Sequence, residues 1–231
     1  MSKVFVTGDT HASIHITKLS SKKFLDGRHL TKNDYVIVCG DFGLVWDPLE
    51  NITKEEIHWT QWLTDKKWTT LFVCGNHENH NRLKNLPTET KFGGTVGVVN
   101  DSIYHLKRGE IYTINDKTFF CFGGALSQDR YCRKLNISYW EDEVPNNQEM
   151  EYAVNNLREH QYQVNYILTH TAPRTLIKMM GYSDNKIDPT TNFLEYVAST
   201  YKFDRWFCGH FHEDQDISKY SFLFDRVLEV E

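Results

Sequence analysis

The chain has little of what marks several large protein classes. Its five cysteines form no close pair, and an odd number of scattered thiols suits a reducing compartment better than a disulfide framework. No apolar run approaches the length of a membrane span. The start, Met1, Ser2, Lys3 and a short apolar stretch, is too brief for a secretory signal and lacks a small-residue cleavage site. A basic excess is missing too: the formal net charge is -5 and the pI about 6.1, which argues against a general nucleic-acid coat because counterion release needs a broad basic surface. These absences point to a cytoplasmic protein with no membrane partner and no stably bound nucleic acid. No repeat or low-complexity tract interrupts the chain.

What is present is an ordinary globular balance, 40% hydrophobic and 25% charged over 231 residues, enough for one core with a sheet surrounded by helices. A single domain over residues 1–231 is expected. Val4, Phe5 and Val6 form a strand-like run that stops at Gly8, before Asp9 and His11. The pattern returns at Tyr35 to Cys39, stopped by Gly40 and Asp41, and at Leu71 to Cys74, stopped by Gly75, Asn76 and His77. Between these runs, residues 13–32 and 53–67 have helical composition, with Trp59, Trp62 and Leu63 on one face. Strand, helix, strand order implies crossover connections and a sheet with covered faces.

Residues 93–124 change character and read as a series of shorter strands. A helix is expected over 146–160, with Asn146 or Asn147 as cap and Glu149 and Glu151 in its first turn. A buried strand at Tyr166 to Leu168 ends in Thr169 and His170. A second helix covers about 190–202, Trp206 to Cys208 lead into Gly209, His210, Phe211 and His212, and Phe222 to Val230 read as a closing strand.

Five strand ends thus deliver an Asp, Asn or His: Asp9 with His11, Asp41, Asn76 with His77, His170, and His210 with His212. Carboxylate and amide oxygens beside neutral imidazoles suit manganese, iron, zinc, cobalt or nickel, and the lack of thiolate disfavours a closed structural zinc centre. Such a set holds more donors than one tetrahedral ion needs. A bridging carboxylate would let them hold two ions about 3.5 to 4 Å apart, a spacing that clamps the attacking and leaving oxygens of an in-line displacement. Taken singly, a Gly-Asp pair is most often a turn and a histidine structural. The ordered set of five is what carries the reading.

Gly8-Asp9-Thr10-His11, Gly40-Asp41, Gly75-Asn76-His77-Glu78, Thr169-His170 and Gly209-His210-Phe211-His212 resemble the ordered signature of calcineurin-like metallophosphoesterases, over nearly the whole chain. The resemblance implies an α/β fold, a four-layer αββα sandwich of two mixed sheets flanked by helices, with a dimetal site at the strand C-terminal ends. It implies one ion on Asp9, His11, Asp41 and His212 and another on Asp41, Asn76, His170 and His210, with Asp41 bridging. Two divalent ions are expected, manganese first, with iron, zinc, nickel, cobalt and magnesium as alternatives. A hydroxide between the ions would attack phosphorus, and His77, outside the direct metal shell, would steady the transition state or protonate the leaving oxygen. Protein Ser/Thr phosphatases of this superfamily carry Asp-Arg-Gly after the second motif, whereas here Asp41 precedes Phe42, Gly43 and Leu44, and the pattern is nearer to small bacterial and phage phosphoesterases.

The expected activity is therefore hydrolysis of phosphate esters, with a nucleotide-like diester favoured by the near-neutral to acidic chain. A phosphomonoesterase or protein phosphatase, and a non-catalytic metal-binding scaffold, are the alternatives. Oligomeric state is open. Between Gly123-Gly124 and Pro145, Arg130 and Arg133 are candidates for a non-reacting phosphate and Tyr139 or Trp140 for stacking on a base. The equal alternative for that segment is a surface loop with its aromatics packed inward. Trp46, Trp59, Trp62, Trp68 and Trp206 read as core or partly exposed packing.

Overall fold

The apolar runs become strands because both of their faces find cover. A computed structural model describes residues 2–182 and 188–230, so Met1 and Glu231, the expected domain limits, lie outside the described residues. The first half contains β1 (Val4–Thr7), β2 (Tyr35–Cys39), α1 (Lys54–Thr64), β3 (Thr69–Val73), α2 (His80–Lys84), β4 (Thr88–Lys91), β5 (Gly94–Asn100) and β6 (Ile103–Leu106). The second half contains β7 (Ile111–Ile114), β8 (Lys117–Phe122), α3 (Asn147–Glu159), β9 (Gln163–Thr169), α4 (Arg174–Met179) and α5 (Pro189–Thr200). It closes with β10 (Lys202–Cys208), β11 (Gln215–Ile217), β12 (Tyr220–Phe222) and β13 (Val227–Val230).

Two mixed sheets result, one of seven strands in the order β13-β1-β2-β3-β6-β5-β4 and one of six in the order β11-β12-β10-β9-β8-β7. In the first, β1, β2 and β3 are mutually parallel; in the second, β8, β9 and β10 are. Side chains alternate between faces along a strand, and the packing follows that period. Val4 and Val6 meet Phe119, Cys121 and Phe207 between the sheets, while Phe5 turns outward to Ile16, Phe24 and Leu30. On the second sheet, Phe120 and Phe122 turn outward to Ala153 and Leu157 of α3 and to Phe193, Leu194 and Val197 of α5. Each such fully buried side chain contributes roughly 1.5 to 3 kcal/mol. The expected αββα layering is the observed one.

The helix over residues 53–67 forms as α1, with Thr53 accepting the Glu56 N–H as its cap. On α3, Asn146 and Glu149 close a reciprocal capping box. Residues 13–32, expected to be helical, instead make two single turns, Ile16–Leu19 and Asp26–Arg28. The backbone turns extended at Ser20, with φ -72° and ψ 155°, so the two turns do not join into one helix. The short strands after residue 93 divide between the sheets, β5 and β6 joining the first and β7 and β8 the second.

The closing strand expected over Phe222 to Val230 is also two pieces: Phe222 ends β12 in the second sheet, and β13 pairs antiparallel with β1 in the first. Asp214 makes the break, since its carboxylate accepts the backbone N–H groups of Phe224, Asp225 and Arg226 at 2.8, 3.0 and 3.2 Å. Neither β4 nor α4 was anticipated. Among the described residues, no helix is long and apolar enough to cross a membrane.

Candidate metal centre

Because β1, β2 and β3 run parallel in register, their C-terminal ends deliver Asp9, Asp41 and Asn76 to one edge. The C-terminal ends of β9 and β10 bring His170 and His210 to the same place from the second sheet. The donors gather in two clusters, each with its ligand atoms within 4.8 Å of one another: Asp9, His11 and His212, and Asp41, His170 and His210. Asp41 faces both. Its Oδ2 lies 3.3 Å from His11 Nε2 and its Oδ1 3.3 Å from His170 Nε2. Asn76 joins the second cluster through its Oδ1, 3.1 Å from His170 Nε2. In the first, His212 Nε2 is 3.2 Å from Asp9 Oδ2.

The loops that hold these side chains are strained. His11, Asp41, His210 and His212 have φ of 44°, 44°, 71° and 53°, a region that costs a non-glycine residue on the order of 1 to 3 kcal/mol and persists where surrounding structure dictates it. Two motif glycines provide room for another strand's donor. A Cβ on Gly75 would lie 2.1 Å from Asp41 Oδ1, and one on Gly209 would lie 2.1 Å from Asp9 Oδ1. Backbone donors then fix the carboxylates: the His77 N–H reaches Asp41 Oδ1 at 2.8 Å, and the His210 N–H reaches both oxygens of Asp9 at 3.0 and 3.1 Å.

Several supporting residues were not singled out from the sequence. Buried Lys18 donates to the carbonyls of Gly8 at 3.0 Å and Asp9 at 2.8 Å, and also to that of Phe224, tying β1 to the chain before β13. Burial lowers its pKa to about 8, against the pull of Asp9. Glu78, fully buried, accepts the N–H groups of Gly43, at 3.0 Å, and Gly75, and burial together with nearby Asp41 pushes its carboxyl up. Ser127 Oγ accepts from Asn76 Nδ2 at 3.1 Å and donates to Glu143 Oε2 at 2.9 Å. This chain turns the Asn76 oxygen toward His170. His15 Nδ1 lies 3.2 Å from His11 Nδ1, leaving His11 Nε2 to face Asp41. Glu78, inside a recognised motif, and Ser127, in the segment between Gly124 and Pro145, had a sequence signal.

Charge explains why a cation belongs here. Two buried carboxylates stand among imidazoles, and the metal-free site answers by keeping a proton: burial opposes the His170 cation, yet Asp41 and Asp9 hold its pKa up to about 10. His170 Nδ1 donates to the Cys39 carbonyl at 3.0 Å, so Nε2 is the nitrogen aimed into the cluster. His210 is pushed down to about 4 by burial and by His170. Neither donor cluster includes a cysteine. The oxygen and nitrogen donors left suit borderline divalent ions.

His77 stands beside the clusters, its ring 5.6 Å from that of His11 and stacked near Trp46 at 6.2 Å. Burial pushes its imidazolium down, with Arg133 adding to that against the pull of Asp41. Of the expected substrate contacts, Arg133 reaches the site, with Nη2 3.0 Å from His77 Nε2 and Nε 2.8 Å from Asp129. Arg130 is engaged elsewhere, donating to buried Glu143 at 2.8 Å beneath Tyr139. Trp140 corrects the stacking expectation: at 1% exposure it offers no face to a base and packs edge-on against Trp46. Trp46 is the partly exposed tryptophan at the site. Phe42, which follows Asp41, is fully buried and stacks on Phe72 at 4.3 Å.

Comparison with known proteins agrees with this arrangement. No curated protein matches the chain. Among solved structures it resembles a Staphylococcus aureus protein assigned as a 5′-nucleotidase, at 13% identity and TM-score 0.50, covering 96% of this chain and 48% of that one. It also resembles GAP50, the anchor in the inner membrane complex of Plasmodium, at 11% identity and TM-score 0.51, covering 97% of this chain and 71% of that one. The chain thus spans about half the length of the first of these, and at such identities the likeness is one of fold. A profile of the calcineurin-like phosphoesterases, however, matches residues 2–214 and so takes in all five donor-bearing strand ends, and by that match the chain belongs to the calcineurin-like phosphoesterase family.

Proposed function

We propose that this phosphoesterase is a two-metal phosphodiesterase acting on small nucleotide-like esters, with manganese as its working ion. The observation that carries the reading is Asp41, whose two oxygens each stand 3.3 Å from a histidine of a different donor cluster. Asp9, His11, Asp41 and His212 would hold one ion, and Asp41, Asn76, His170 and His210 the other. When bound, two divalent ions supply Lewis-acid charge and a water nucleophile at neutral pH. The chain's own residues then orient and protonate. Arg133 donates to His77 Nε2, which leaves the ring proton on Nδ1 for a leaving oxygen, and Arg133 is the cation placed to meet a non-bridging phosphate oxygen.

A diester fits better than a monoester because a monoester dianion calls for more cationic partners. Arg130 is neutralised by Glu143 and Arg82 by Glu56, so neither adds one. The single core between the two sheets supports one domain over 1–231, and five free thiols are in keeping with a reducing cytoplasm.

The test is metal-restored hydrolysis of bis-p-nitrophenyl phosphate beside p-nitrophenyl phosphate. Manganese-dependent turnover that favours the diester is expected, and His77→Ala should lower it by roughly 10²- to 10⁴-fold with both ions retained. A clear preference for the monoester would overturn the diester assignment.

A further inference from the structure

One side of the metal centre opens into a cavity of about 360 Å³, running from His11 and His77 out to Ile14, Asp47 and Glu55, with Trp46 as its aromatic wall. The wall is rigidly supported. The Trp46 ring lies 27° from parallel to His77 and meets the edge of buried Trp140 at 5.2 Å. The backbone N–H groups of Trp46 and Asp47 both donate to Glu56 Oε2, at 3.2 and 2.9 Å. Arg82 neutralises Glu56, so that carboxylate is structural.

The remaining charge is one-sided. Asp47 and Glu55 line the cavity, and among the described residues no lysine or arginine does. One Asp47 oxygen accepts the Thr53 N–H at 2.9 Å, which aims the carboxylate without neutralising it. His77 borders both this cavity and the donor clusters. A group departing on the oxygen that His77 serves therefore has this space to enter.

We propose that the cavity is the leaving-group subsite, and that it selects an aromatic alcohol bearing a neutral or cationic, hydrogen-donating substituent. Leaving groups with a further anionic charge, such as a second phosphate or a carboxylate, are turned away. The volume suits one aromatic group, an indole wall favours flat and cationic partners, and carboxylates of one sign repel an anion. A nucleoside with an exocyclic amine meets the requirement and a nucleotide polyphosphate does not. This inference rests on the phosphodiesterase reading for the reaction itself.

Three methyl aryl phosphodiesters test it, with tyramine, para-cresol and para-hydroxyphenylacetate as leaving alcohols of similar acidity but different charge. Expected kcat/KM falls in that order, by about 5-fold from first to last, and the Asp47→Asn, Glu55→Gln double variant flattens the series. A second readout needs no turnover: in metal-free protein, tyramine shifts the NMR resonance of the Trp46 indole and para-hydroxyphenylacetate does not. Equal shifts from the two alcohols, or none from tyramine at millimolar concentration, overturn the subsite. If no diester is hydrolysed while tyramine still shifts Trp46 selectively, the diester reading falls and the subsite stands.

Discussion

The two donor clusters each pair a carboxylate with two imidazoles but stand at different depths. Asp41, His170 and Asn76 are buried, with His210 half-buried. In the other cluster Asp9 is buried, His11 is half-buried, and the His212 side chain is 50% exposed. A charge held away from water is felt more strongly, so the inner cluster should bind its ion more tightly and the outer one exchange it. On that expectation, burial more than ligand chemistry would separate a retained ion from a replaceable one.

Removing the shared carboxylate should erase the difference altogether. Asp41→Ala takes a donor from both clusters and leaves the buried His170 cation with Asp9 alone. Both ions should be lost, with kcat/KM down by roughly 10³-fold or more. Retention of one full equivalent of manganese, counted by elemental analysis, would show that Asp41 is not shared.

Raising pH should widen the difference. The His170 pKa is raised from 6.5 to about 10, so its contribution to the stability of the metal-free protein is complete below about 6.5 and is lost as pH rises through about 10. An inner ion must displace that proton. Its affinity should therefore tighten by up to about tenfold per pH unit across this window, while metal-free stability declines. Calorimetric titration with manganese at several pH values reads the slope, and a flat profile would rule out His170 as the displaced group.

Ser127→Ala should narrow the difference from the other side. It removes the acceptor that turns the Asn76 amide, and a supporting contact of this kind is worth about tenfold in metal affinity. The outer ion should hardly change. Loss from both clusters alike would mean that the substitution acts on the fold. The smallest effect belongs to Asp216, paired with Arg226 and Arg205. Its pKa is lowered to about 2, chiefly by the Arg226 hydrogen bond, so its stabilisation holds above about 3.8 and fades as pH falls toward 2. Because it is 42% exposed, Asp216→Asn should cost less than about 1 kcal/mol in chemical denaturation at neutral pH.

Much of the site was legible because its parts are local. Val36 to Val38 before Gly40-Asp41, or Ile167 and Leu168 before Thr169-His170, announce a strand and its stop by composition alone. The Asn146 and Glu149 cap of α3 is equally local. Residues 13–32 misled, since helical composition says little where tertiary packing decides and the backbone turns extended at Ser20. Arg130 and Arg133 look alike in the sequence. One is claimed by Glu143 and the other reaches His77, a division set by residues ten or more positions away.

The sequence by itself determined the five strand ends, their order and the candidate donors that they present, because strand periodicity and turn chemistry are settled within a few residues. Only the tertiary structure decided that Trp140 faces inward, that Trp46 walls a cavity, that Phe222 and Val227 join different sheets, and that Lys18, Ser127 and Glu143 steady the donors. The reason is physical: burial and charge pairing depend on which distant segments meet, and β1 pairs with β13 and Asn76 with Ser127 across long stretches of chain.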